Sequence, residues 1–354
     1  MKDKVISILF VSTIFLLFLL SFFIKDNEIS YFERRKLAQF PQKYDANFTE
    51  KLDNYLLDQF PFRNQFITVN SNLTRGLLGI KDVNGVYVIG NNIYEKLYPM
   101  KETECYNFCK KINSIIENEL SNSNIYYSII PDKSYFLEED KYLKLDYSSL
   151  YKLLNENIKA KYINIKDILT IDDYYRTDIH WKQEKIQKVA NKLIQEMHKP
   201  LKNINYKIKK YNYFLGASYA KAGANIPPDE LILLDNPIFE NVLVEHLEYG
   251  EKTVYDLSKL EGIDAYDIFL SGASSYIKIK NNEVKNNSEL IVFRDSFASS
   301  LLPLIIPYYH EITVIDLRYI TFDIVKEKTD FNGKDVLFLY STQIINNSSI
   351  LKIK

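Results

Sequence analysis

The sequence predicts an α/β fold with a mostly parallel sheet behind an N-terminal membrane-spanning helix, and three observations carry that expectation. Residues 5–24 run without a charge. From Gly85 onward, short apolar runs alternate with segments of helical periodicity. Between Pro200 and Asn287 the helical rhythm stops, then the alternation resumes toward the C-terminal end. Apolar strands alternating with helices imply a sheet covered on both faces. At 354 residues the chain is long enough for a real core without metal or disulfide staples.

Val5 to Ile24 has only Ser7, Ser12, Thr13 and Ser21 as polar members, enough length to cross a hydrocarbon core of about 30 Å as a helix. It exceeds a signal-peptide core of roughly 7 to 15 residues, and no small-x-small cleavage site follows it. Residues 1–27 are therefore expected to be an uncleaved anchor. Lys2 and Lys4 lie on one side, and Lys25, Arg34, Arg35 and Lys36 on the other, so charge alone does not orient the span. A single N-terminal span followed by a long domain points to a single-pass protein of the cell membrane with its body outside the cytoplasm.

In residues 28–80, Phe48, Leu52, Tyr55 and Leu56, then Phe66, Val69 and Leu73, fall at helical spacing. These predict amphipathic helices, a membrane-proximal segment packed on the main domain. The main domain takes residues 81–354. Strands are expected at Val86–Gly90, Ile125–Ile130 and Tyr162–Ile165, and helices at Glu102–Leu120, Tyr147–Asn157 and Lys182–Met197, the last with Ile186, Val189, Ala190, Leu193 and Ile194 on one face. Glycines, the pair Pro227-Pro228 and short runs such as Asn241–Val244 and Tyr276–Ile279 suggest a β-rich insertion at about 201–287. Leu290–Phe293 then reads as a buried strand, Phe297–Leu302 as a short helix ended by Pro303, and Ile312–Ile315 and Val336–Tyr340 as the last strands.

Composition narrows the function classes. Net charge is −1 with both signs interspersed, so there is no basic field for nucleic acid. Cys105 and Cys109 share one face of a predicted helix at a separation near the limit for a relaxed disulfide, which predicts two free thiols. Four histidines without a Cys/His cluster predict no structural zinc, and nothing calls for a cofactor. His198, His246 and His310 have no carboxylate and aromatic in an arrangement comparable to that around His180, and read as structural or solvated.

Two stretches can carry chemistry. Tyr174–Trp181 sets Asp178 and His180 beside the chain's single Trp, just ahead of a helix. A histidine there can equally be a cap or a packed ring. Phe293-Arg294-Asp295-Ser296-Phe297 is a strand-to-helix turn that aims a hydroxyl out of the sheet while backbone N–H groups at the helix start face the same point. Ser296 or Asp295 can also be a plain N-cap. Together they suggest more: a serine nucleophile needs a base, and the base needs an acceptor to fix its tautomer. An extended 178–180 segment would put the carboxylate and the imidazole on one face.

Tyr175–Trp181 resembles the motif that gives the DHHW family its name, with Ile179 in place of its first His. Ser30–Pro41, Asp58–Arg63, Arg294–Phe297 and Ile315–Tyr319 also look like blocks of that family, so the likeness runs over nearly the whole chain after the anchor. The family is similar to the SGNH-hydrolase-like domains of the alginate O-acetyltransferases, which implies a three-layer α/β/α fold. The resemblance implies Ser296 as nucleophile, His180 as general base and acid, and Asp178 as its orienter. It points to Gly272, Arg294 and Arg176 as members of the substrate or oxyanion environment; Phe269–Ala273 matches a block that usually ends in Gly-Gly-Asn, so the Asn donor is missing here. The implied activity is extracytoplasmic O-acyl transfer, most simply O-acetyl, to a cell-surface or exported polysaccharide, with the acyl donor delivered by a polytopic membrane acyltransferase. A polysaccharide acetylesterase with the same residues is the alternative within the class, and a non-catalytic cell-envelope scaffold or glycan-binding module the alternative outside it.

Overall fold

The computed structural model describes residues 2–353. Lys2–Ser21 is one helix with no buried side chain, and among the described residues it is the one helix long and apolar enough to cross a membrane. A small antiparallel hairpin follows, Ile29–Ser30 against Arg35–Lys36, then helices Phe48–Asp58 and Arg63–Gly76. These helices differ from the expectation of a packed apolar face. Phe48–Asp58 buries nothing, and Arg63–Gly76 buries only Ser71.

The body is built on one eight-stranded sheet, whose strands are numbered here in chain order: β1 Asn124–Ile130, β2 Lys161–Tyr162, β3 Val242–His246, β4 Gly250–Lys252, β5 Tyr276–Asn281, β6 Glu289–Arg294, β7 Glu311–Ile315 and β8 Asp335–Ser341. Their spatial order is β4-β3-β5-β7-β6-β8-β1-β2. The five strands β7, β6, β8, β1 and β2 are parallel; β5, β3 and β4 extend the sheet antiparallel. The runs at Asn241–Val244 and Tyr276–Ile279 thus lengthen the main sheet rather than forming a separate β unit. The helical rhythm stops there because antiparallel strands need no crossover helix.

Alternation along the parallel strands builds two cores. Leu290 and Val292 of β6, Ile312 and Val314 of β7 and Leu337 and Leu339 of β8 face one side, where helices Gln187–Glu196 and Ala298–Ile305 cover them. Ile291, Phe293, Val336, Phe338 and Tyr340 face the other, under Glu102–Glu119 and Tyr147–Asn157. In Glu102–Glu119 the buried positions Cys105, Phe108, Cys109, Ile112, Ile115 and Ile116 recur once per helical turn, singly or as adjacent pairs, and form one helical stripe. Full burial of each such side chain stabilises the fold by about 1.5–3 kcal/mol. The helix after β6 runs through Pro303 instead of ending there; a proline in a helix costs one backbone hydrogen bond, and here every residue of the helix is buried.

Strand order fixes where a ligand can sit. From β6 the chain passes to β7 on one side, while β8 and β1 lie on the other, so the strand order reverses at β6. Open α/β sheets place ligands at the carboxyl ends of strands at such a switch point. The ends of β6, β8 and β1 are Arg294, Ser341 and Ile130.

Candidate active site

Ser296 follows directly on β6. Its turn is held from within: the Phe297 N–H donates to Asp295 Oδ1 at 3.1 Å, and the Ser341 N–H at the end of β8 donates to Asp295 Oδ2 at 2.7 Å. Asp295 thereby holds the turn ahead of the helix and ties two strand ends, and the Ser296 side chain makes no capping bond. The Ser296 N–H donates to no protein acceptor among the described residues.

The second element is the 174–181 loop. It closes as a tight hairpin, with Tyr174 bridged to Trp181 and the Tyr175 N–H donating to His180 O at 3.0 Å. The 178–180 segment is therefore bent, not extended as expected. Asp178 Oδ1 accepts from both the backbone N–H and Nδ1 of His180, at 3.0 and 2.6 Å. A short carboxylate reaching the N–H two residues on is a turn-forming device, and here it puts acceptor and ring in contact.

Trp181 brings the two elements together. Its indole, fully buried, donates from Nε1 to Phe297 O at 2.9 Å and to Ser300 Oγ at 3.1 Å. Gln183 repeats the link, donating from Nε2 to Ser300 O at 2.8 Å. With the loop fastened to the helix after Ser296, His180 Nε2 lies 2.8 Å from Ser296 Oγ. The His180 ring is stacked on Tyr266, centroids 3.9 Å apart and planes 9° off parallel, with Phe297 at 4.7 Å. Tyr266 is fixed in turn by its hydroxyl, 2.9 Å from Ser300 Oγ.

Asp178 is buried, and its other oxygen takes two further donors. Arg34 Nη1 lies 3.1 Å from Oδ2, and the Ala217 N–H donates to it at 2.8 Å. Burial pushes this carboxyl upward, but His180, Arg34 and the His180 N–H outweigh it and hold it well below the usual carboxylate range. Arg34 belongs to the hairpin that follows the N-terminal helix. Its Nε donates to Ile263 O at 3.2 Å, and it forms an ion pair with Asp264. Lys133, in the turn after β1, is buried and donates from Nζ to Tyr175 O, Arg176 O and Asp178 O at 2.7, 3.0 and 3.2 Å. Burial lowers its pKa to about 7, against the pull of Asp178, Asp229 and Glu95.

The other expected members are placed differently. Arg176 binds Asp229 Oδ1 through Nε at 3.2 Å and Pro228 O through Nη2 at 2.6 Å, so its guanidinium braces the loop from behind. Gly272 donates its N–H to Phe269 O at 3.1 Å; it closes a run of three left-handed residues, Leu270, Ser271 and Gly272 at φ 51, 55 and 81°. The two non-glycine members cost about 1–2 kcal/mol each. Arg294 is fully buried; its Nη1 donates to Asp295 O at 3.3 Å and Ser299 Oγ at 3.1 Å, while Nε and Nη2 have no partner. It therefore underpins the Ser296 turn. Among the described residues no group of three or more His, Cys, Asp or Glu side chains is arranged to hold a metal ion.

The sequence reading missed Arg34, Lys133, Gly216, the Ala217 N–H and Tyr266. Gly216 carried no signal, yet a Cβ there would lie 2.3 Å from Asp178 Cβ.

The fold is of the three-layer α/β class, and the solved structures it resembles include a DHHW family protein. A DHHW family protein from Eubacterium siraeum superposes with a TM-score of 0.61 at 21% identity, covering 75% of this chain and 94% of that one. Bacillus cereus PatB1 with a sulfonyl adduct gives 0.61 at 15% identity, over 76% of this chain and 98% of that one. A second PatB1 structure gives 0.58 at 16% identity, over 73% and 96%. Neither protein-family profiles nor curated protein sequences match the chain.

Proposed function

We propose that this chain is a serine acyl-transfer enzyme, anchored by its N-terminal helix, that moves an O-acyl group, in the simplest case acetyl, onto a cell-surface or exported polysaccharide outside the cytoplasm. The observation that carries the reading is the continuous hydrogen-bonded chain from Ser296 Oγ through the His180 ring to Asp178, at 2.8 and 2.6 Å, at the switch point of the sheet. Ser296 Oγ attacks the acyl carbonyl while His180 Nε2 takes its proton. The ionised Asp178 stabilises the imidazolium and fixes the ring so that Nε2 faces the serine. The Ser296 N–H is available to the oxyanion. His180 then returns the proton to the departing alcohol, leaving Ser296 acylated, and repeats the two transfers when a sugar hydroxyl takes the acyl group away.

Two further observations support this reading. PatB1, a protein of similar fold, has been captured with a sulfonyl adduct. Near Tyr266, Tyr31, Tyr213, Phe214, Ile263 and Ala265 line a groove of about 380 Å³. Tyr31 and Tyr213 are exposed in it, and their faces suit the apolar side of a sugar ring. A polytopic membrane acyltransferase would supply the acyl group to a site held at the membrane. An acetylesterase uses the same residues and differs only in letting water reach the acyl-enzyme.

The test uses the full chain in detergent, a chromogenic acetyl ester and a serine-directed sulfonyl fluoride. Wild type is expected to turn over the ester and take the label on Ser296, and Ser296→Ala to do neither. Equal inactivity, with Ser296 never labelled, would sink the enzyme reading and favour the scaffold. With candidate glycans added, acetyl found on sugar identifies a transferase, and acetate released at the same rate without them an esterase.

A further inference from the structure

The apolar row of the membrane-proximal segment has no protein cover. Phe40, Leu56, Phe66, Val69, Leu73 and Leu77 are each between 48 and 78% exposed. The last four follow one another at intervals of three or four residues, which puts them on one side of the Arg63–Gly76 helix and its C-cap residue Leu77. Single exposed hydrophobics need no explanation, but a contiguous row of large ones marks a surface that something else covers.

The chain itself indicates what covers it. Phe18, Ser21, Phe22 and Ile24, at the end of the anchor, line one cavity of about 730 Å³ together with residues that include Phe40, Leu52 and Leu56. Helix Phe48–Asp58 is fastened to the first residues past the anchor. Tyr55 OH donates to Asp26 Oδ1 at 3.2 Å, and the Asn27 N–H donates to Gln59 Oε1 at 3.0 Å. Gln59 Nε2 completes the pair by donating to Asn27 O at 2.9 Å. A span that begins near Val5 needs about 20 apolar residues to cross the hydrocarbon, which places Phe18 and Phe22 inside it, toward the far boundary. Side chains that share a cavity with Phe18 and Phe22 lie at nearly the same depth.

We propose that residues 40–78 form an interfacial platform, with the exposed side of Phe40, Leu56, Phe66, Val69, Leu73 and Leu77 seated at the boundary between headgroups and acyl chains of the leaflet in which the anchor ends. Helices with one apolar and one polar side lie in the membrane plane in this way. The occupant is lipid, because Phe40 and Leu56 of this exposed set share a cavity with Phe18 and Phe22 of the anchor. The platform also positions the body. The hairpin that carries Arg34 leaves the same junction, so the Ser296–His180–Asp178 cluster is held at a set height over the bilayer. The platform does not depend on the acyl-transfer reading.

The test is made on the full chain in phosphatidylcholine nanodiscs. Cys105 and Cys109 are buried, with thiols pushed up by burial to about 11 and about 12, so they do not compete for a label at neutral pH. An environment-sensitive fluorophore is placed at Phe66→Cys, Val69→Cys and Leu73→Cys, and at Lys285→Cys on the body as control. The three platform positions are expected to emit at shorter wavelength than the control, to lose intensity with doxyl-labelled lipid, and to resist iodide in the water. Emission and iodide quenching equal to the control would overturn the proposal. So would protection from iodide without quenching by doxyl lipid; energy transfer between differently labelled copies would then identify a second copy as the cover. Circular dichroism of each labelled variant equal to wild type keeps misfolding out of the comparison.

Discussion

Substituting Gly216 by Ala is the sharpest probe of how the Asp178 carboxylate is held. A Cβ at 216 would lie 2.3 Å from Asp178 Cβ, 2.5 Å from its Cα and 2.6 Å from its N. Carbon atoms in ordinary contact are about 3.5–4.0 Å apart, so the 216–217 backbone must retreat by at least about 1 Å. The Ala217 N–H, now 2.8 Å from Asp178 Oδ2, would then lie beyond hydrogen-bond range, which ends near 3.2 Å. The Gly216 N–H, 2.9 Å from Thr177 Oγ1, goes with it. A hydrogen bond to a charged group contributes about 1.5–3 kcal/mol and a neutral one about 0.5–1.5 kcal/mol, so the loss comes to about 2–4.5 kcal/mol. The assay pairs thermal unfolding in detergent with the rate of sulfonyl labelling at Ser296. Gly216→Ala should melt several degrees lower. It should label at least about tenfold more slowly, since 1.4 kcal/mol of lost orientation is enough for that. A variant that melts and labels like wild type would refute the close packing of this loop on Asp178.

Arg34→Gln removes one of the four donors to the same carboxylate. Asp178 is held below its unfolded value, so the stability contributed by Arg34 is present above about pH 4 and fades as pH falls below it. The variant should be less stable than wild type by about 1.5–3 kcal/mol at pH 7, with the gap narrowing toward pH 3, and Arg34→Lys should recover part of it; denaturant midpoints at the two pH values check this. Lys133 acts in the same sense, but in a higher pH window. Its folded value of about 7 lies below its unfolded value of about 10.4, so from pH 7 upward the unfolded chain keeps a proton that the folded chain releases. Its contribution to stability therefore rises with pH. Wild type should gain on Lys133→Met between pH 7 and 9.5 in denaturant titrations; a constant difference would refute the buried, partly deprotonated amine.

What could be read from the sequence was local or periodic. Leu290–Phe293 and Val336–Tyr340 announce buried parallel strands because both faces of the sheet are covered, and Glu102–Glu119 shows its stripe directly. Asp178 and His180 stand two residues apart, and Ser296 sits on a strand-to-helix turn, so each could be picked out without knowing the fold. The residues that hold them could not. Arg34 reaches Asp178 across 144 positions of sequence and Ala217 across 39, and neither pairing leaves a periodic trace. Gly216 matters only because another backbone passes within contact of it. The family resemblance implied Arg176 and Gly272 as site members, yet Asp229 and the Phe269 carbonyl take their donors. The antiparallel extension was hidden for a related reason: Val242–His246 and Tyr276–Asn281 carry strand signals, but no sequence signal states which sheet they join.

The ring of His180 is confined between Tyr266 and Phe297, with Nδ1 tied to Asp178 and Nε2 facing Ser296. Such a ring cannot turn over during a reaction cycle, so its two nitrogens never exchange duties. In the proposed chemistry, a proton taken at Nε2 leaves from Nε2, to whichever oxygen then stands where the serine hydroxyl stood. Two protons pass through the site in turn: the first goes from Ser296 to the departing alcohol, and the second comes from the acceptor hydroxyl and returns to Ser296. The site is therefore indifferent to what supplies that second oxygen, and the choice between sugar and water falls to the walls around it, which can diverge without disturbing the relay.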